Sequence, residues 1–83
     1  MPIDVICMCT AAGQIRPLRF RLEDEHRLMR VNIDEVIGTR DITYVGAEAK
    51  VYRCRAVIDQ VPCVVELKYT IRSHSWCLIT KVQ

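Results

Sequence analysis

Alternation with a period of two dominates residues 51–71 and leaves few architectures open. Tyr52, Cys54, Ala56 and Ile58 alternate with Arg53 and Arg55, and further on Cys63, Val65, Leu67, Tyr69 and Ile71 alternate with Glu66 and Lys68. Successive side chains of an extended strand point to opposite faces, so each half turns an apolar face to a core and a polar face to water. The β-branched and aromatic content suits such a half-buried pleat, and the two halves read as a hairpin. Asp59-Gln60 marks its turn. It lacks the glycine favoured in the tightest hairpins, so a loop of about three to five residues reaching Pro62 is expected.

The remaining chain repeats this pattern in shorter pieces. Residues 3–10 place Ile3, Val5, Cys7 and Cys9 on one parity and Asp4, Ile6, Met8 and Thr10 on the other. Both faces are largely apolar, which predicts a strand covered on both sides. Residues 11–14 form a turn around Gly13. Residues 15–22 alternate Leu18, Phe20 and Leu22 inward with Arg19 and Arg21 outward, and Pro17 near the start implies an edge position, a bulge, or a strand beginning at Leu18.

Glu23 to His26 reads as a turn. Met29, Val31 and Ile33 then alternate with Arg30, Asn32 and Asp34 as a strand. Leu22, Met29, Ile33, Val36 and Ile37 also fit one helix face, with Gly38 as a stop, so a helix within 22–37 stays open beside the preferred strand. A turn over 38–41, a short strand over 42–45 and a lead-in from Gly46 complete the first half. After a turn over 72–75, Trp76 to Val82 forms a last strand with two apolar faces. Six or seven short strands at this spacing predict an all-β fold: a small antiparallel meander curled into a barrel or half-barrel, with residues 1–83 as one domain.

A chain of 83 residues buries only roughly 60–65% of the surface its unfolded form exposes, which makes oligomerisation an expected source of further stability. No apolar run reaches the roughly 18 residues of a membrane span. The apolar start carries Asp4 and no basic flank, which does not suit a secretory signal. The five cysteines, an odd number without framework spacing, fit a reducing compartment, so a cytoplasmic location is expected. The net charge of +2 is too small to imply a nucleic-acid or anionic-membrane partner by itself.

Three constellations bear on chemistry. In a meander, Arg19, Arg21, Arg30, Arg53 and Arg55 all project from the side opposite the core, as in small barrels that grip nucleic-acid phosphates. The same pattern is also what the wet face of any amphipathic sheet shows. Cys7 and Cys9 share a face, but the Cys-x-x-Cys knuckles of structural zinc sites are missing; alternating strand cysteines read as small buried hydrophobes, and no metal or cofactor is expected. His74 among serines cannot assemble nucleophile, base and orienter from adjacent turn residues. There is no glycine-rich phosphate loop, His-Glu-x-x-His or nucleophile elbow.

The sequence therefore predicts a non-catalytic binding or assembly module acting through protein contacts, as a homo-oligomer or on a protein partner. Its expected binding face is Ile6, Met8, Trp76 and Leu78, from the two strands with apolar faces on both sides. The alternative is a nucleic-acid-binding small barrel using the five arginines.

Overall fold

The computed structural model describes residues 1–25 and 27–82. Six strands follow one another: β1 (Pro2–Cys9), β2 (Ile15–Asp24), β3 (Arg27–Tyr44), β4 (Ala47–Ile58), β5 (Val61–Thr70) and β6 (Ser75–Val82). Each pairs antiparallel with the next, and β6 returns to β1, so the meander closes into a barrel. The described residues contain no helix, and residues 22–24 and 27–37, where a helix was the alternative, lie in strands.

The alternating apolar residues fill the interior. Phe20 and Val31, opposite one another on β2 and β3, meet Tyr52, Cys54, Ala56 and Ile58 of β4 and Cys63, Val65, Leu67 and Tyr69 of β5. Burying each Val, Leu, Ile or Phe side chain of this set stabilises the fold by about 1.5–3 kcal/mol. Trp76 joins from β6, its ring 5.5 Å from Tyr52 and 4.9 Å from Tyr69 between centroids. The Tyr52 hydroxyl donates across the interior to the Ile15 carbonyl at 2.6 Å, satisfying the one polar atom that this ring carries inside.

Bulges bend the strands enough to close. Ile6 pairs with Arg19 but Cys7 pairs with Pro17, leaving Leu18 unopposed. The extra residue reverses the parity of β2, so Pro17 is buried and Leu18, expected inside, faces out. A proline without an N–H is accommodated where the ladder is already interrupted.

β3 carries the largest departure from expectation. Its 18 residues run through Gly38, where a turn was expected. Register shifts between Ile33 and Glu35 and between Val36 and Gly38 leave Asp34 and Ile37 unopposed. A lone glycine in a strand pattern marks a bulge as readily as a turn, and here it marks a bulge. The bent strand serves β2 with its first part and β4 with its second.

Two connections are tighter than the sequence suggests. Ile58 pairs with Val61, so Asp59-Gln60 is a two-residue turn rather than a longer loop. Both residues have positive φ, 52° and 66°, the pattern of a type I′ turn, whose twist matches that of the strands. β2 likewise extends to Asp24, shortening the expected turn over 23–26, of which His26 lies outside the described residues.

Val45-Gly46 forms a similar turn between Tyr44 and Ala47, with φ of 51° and 76°. A β-branched residue in the left-handed region is strained by roughly 1 kcal/mol or more, and Val45 is 85% exposed, so no packing compensates. Val45→Asn, which creates the favoured Asn-Gly pair, is expected to raise stability by about 1 kcal/mol in urea unfolding. Unchanged or lowered stability would show that the turn is not strained there.

Candidate functional site

With the core inside, binding chemistry falls to the outer face and to edges that closure leaves bare. Closure is brief. β1 and β6 pair only at Pro2 with Cys77 and at Ile3 with Trp76. The Leu78 amide adds a bond to the Met1 carbonyl at 2.8 Å, and the Met1 amino group donates to the Leu78 carbonyl at 3.3 Å. Beyond this seam, residues 4–9 of β1 pair with β2 alone among the described residues.

Beside that edge lies an apolar patch. Ile6 is 51% exposed and Met8 39%, both on the outward parity of β1, and the bulged Leu18 stands next to them on β2. Of the four residues expected to form a binding face, Ile6 and Met8 are therefore on the surface. Trp76 lies in the core and Leu78 packs against it. The two apolar parities of β6 divide unevenly: Trp76 and Leu78 turn in, Ile79 on the other parity stays out, and a bulge there moves Thr80 to the outer face opposite Glu66.

The five arginines divide into two groups. Arg21 stands between Asp4 of β1 and Arg30 of β3, and Arg19 between Ile6 and Asn32. Arg21 bonds to Asp4. Together Asp4, Val5, Ile6, Arg19, Arg21 and Arg30 line a groove of about 350 Å³. Arg53 and Arg55, on β4, are answered by carboxylates instead, Arg55 by Glu35 at 3.6 Å and Arg53 by Glu66 at 3.8 Å.

Glu66 is the centre of a second polar cluster. It lies on the outward parity of β5, yet its side chain is only 12% exposed. Arg40 donates to it at 2.6 Å and the Thr80 hydroxyl at 3.4 Å. The Arg40 hydrogen bond, reinforced by the charges of Arg40 and Arg53, holds the Glu66 carboxyl below its ordinary value against the opposing effect of burial. Arg40 escaped sequence reasoning because it falls in the stretch read as a turn.

The cysteines are all free, with Cys54 and Cys63 buried, Cys77 half-buried, and Cys7 and Cys9 exposed. Burial pushes the Cys54 thiol up to about 11, so it stays protonated. Among the described residues, no three of His, Cys, Asp and Glu stand together as a group able to hold a metal ion. His74, in the expected turn, meets the Tyr69 hydroxyl at 2.8 Å through Nδ1. No helix among the described residues is long and apolar enough to cross a membrane. No protein-family model, curated protein or solved structure gives a significant match to the chain.

The Glu66 cluster gives a pH signature with a definite sign. A carboxyl whose value falls on folding contributes stability above its unfolded value, and that contribution disappears as pH falls through the folded one. Glu66→Gln should therefore lower stability by about 1 kcal/mol at neutral pH, solvent around the half-exposed arginines keeping the effect small. The gap to wild type should shrink as pH drops below 4.5, the ordinary value for this group. Denaturant unfolding of both proteins between neutral pH and pH 3 measures it, and a pH-independent gap would exclude a role for the charge.

Proposed function

We propose that this protein is a non-catalytic assembly module that joins a second copy of itself through strand β1. The observation that carries this reading is the edge of residues 4–9, unpaired on one side and flanked by exposed Ile6, Met8 and Leu18. Unpaired strand edges are templates for further strands, and proteins that stay monomeric blunt them with lysine, proline or bulges. Residues 4–9 read Asp-Val-Ile-Cys-Met-Cys and contain neither lysine nor proline, and the bulge at this junction lies on β2, not on β1. Two identical edges can pair antiparallel about a twofold axis, the commonest symmetry of soluble oligomers. The five unbridged cysteines, two of them exposed, support placing the protein in the reducing cytoplasm.

A nucleic-acid-binding barrel has less support. Three of its five arginines, Arg21, Arg53 and Arg55, are engaged by carboxylates. Phe20, Tyr52, Tyr69 and Trp76 all turn into the core, so none of these rings is offered to a base.

Sedimentation equilibrium of the reduced protein is expected to give a dimer at low and high salt alike, because the contact is apolar. Ile6→Asp combined with Met8→Glu should yield a monomer with an unchanged far-UV spectrum, both positions being on the outer surface. A monomeric wild type, or a double variant that keeps the dimer mass, would overturn the proposal.

A further inference from the structure

Arg21 and Arg30 face each other directly across β2 and β3. Like charges in that position repel, and a sheet normally avoids them. Asp4 answers Arg21 from the other side, whereas neither Arg30 nor the neighbouring Arg19 has an ion-pair partner among the described residues. The contrast with β4 is direct, since Arg53 and Arg55 each have a carboxylate within 4 Å. Three guanidiniums and a single carboxylate thus share a groove of about 350 Å³, leaving it two uncompensated positive charges.

We propose that this groove is a binding site for a small phosphomonoester, with Arg19 and Arg30 holding the phosphoryl group and the Asp4–Arg21 pair fixing the floor between them. A phosphomonoester carries about −1.5 to −2 charge at neutral pH, which matches what the groove lacks. Guanidinium forks bind phosphoryl oxygens two at a time, a geometry that lysine does not offer. The volume lies at the lower end of the range for small-molecule pockets, about 300–1,000 Å³, which suits a compact ligand. Exposed Ile6 forms an apolar wall beside the charges, a surface for the ester's organic part. Bound anion would also remove the Arg21–Arg30 repulsion, so binding and stability are coupled.

The site does not depend on self-association, although Asp4, Val5 and Ile6 belong both to the groove and to the open edge. Titration calorimetry of the full chain at constant ionic strength tests it, with phenyl phosphate and inorganic phosphate as probes. Saturable binding at one site per chain is expected, weakened at least about tenfold by Arg19→Gln or Arg30→Gln, as loss of a charge-assisted hydrogen bond implies. Arg55→Gln should leave the affinity unchanged. Arg30→Gln removes a repulsive charge from the surface, so its melting temperature without ligand should equal or exceed that of wild type, while the rise in melting temperature with phenyl phosphate is lost. Tighter binding of phenyl phosphate identifies an ester as the ligand, and equal affinities identify free phosphate; either sustains the anion site. Absence of saturable binding of both probes would overturn it. So would a short oligonucleotide that binds more tightly than either probe and loses as much affinity with Arg55→Gln as with Arg30→Gln, since that marks a diffuse polyanion surface.

Discussion

A single antiparallel sheet in a chain of 83 residues can bury its apolar face within one molecule only by rolling that face onto itself, and the bending this requires governs the rest of the molecule. Two of the four register shifts among the described residues lie in β3. Its two bulges, at Asp34 and Ile37, let one strand leave β2 and continue along β4 without a break in the chain. Val31 can then face Phe20 while Ile33 faces Ala56, and residues from opposite sides of the sheet share one core. Without those shifts a regular strand would keep the sheet flatter and leave the two halves of the core apart.

The same curvature sets the weakness of closure. β1 meets β6 over two residue pairs, reinforced by backbone bonds at Met1, and then runs past the start of β6 at Ser75. What the fold gains in burying Trp76 against Tyr52 and Tyr69 at this seam it offsets with an unpaired edge along the rest of β1. The bulge at Leu18 adds to this by turning a leucine outward next to Ile6 and Met8. One distortion, beside Pro17 in β2, therefore helps create the apolar patch on which the assembly reading rests.

Charge on the outer face follows from register in the same way. Alternation places Arg19, Arg21, Arg53 and Arg55 outside, but which carboxylate each one meets depends on the strand beside it. On β4 and β5 the ladder sets Arg53 opposite Glu66, and the bent β3 brings in Arg40. On β2 and β3 the ladder sets arginine against arginine. A neutralised cluster and an uncompensated groove thus arise from one period-two pattern.

The all-β class, the meander and the central hairpin were legible in the sequence because they rest on local alternation. The inward residues of β4 and β5 were legible for the same reason: in the ladder joining these two strands the register is regular, and parity carries straight from chain to core. Local pattern failed where an extra residue changed parity, as at Leu18, or where a strand continued through a glycine, as at Gly38. It also could not separate Ile6 and Met8, which stay on the surface, from Trp76 and Leu78, which are drawn inside. Nor could it sort five equivalent arginines into a paired set and an unpaired one. The sequence by itself determined which side chains alternate, and so the kind of sheet. The tertiary structure alone decided which strands meet, where the ladder slips and which edge remains open, because these depend on contacts between residues far apart in the chain.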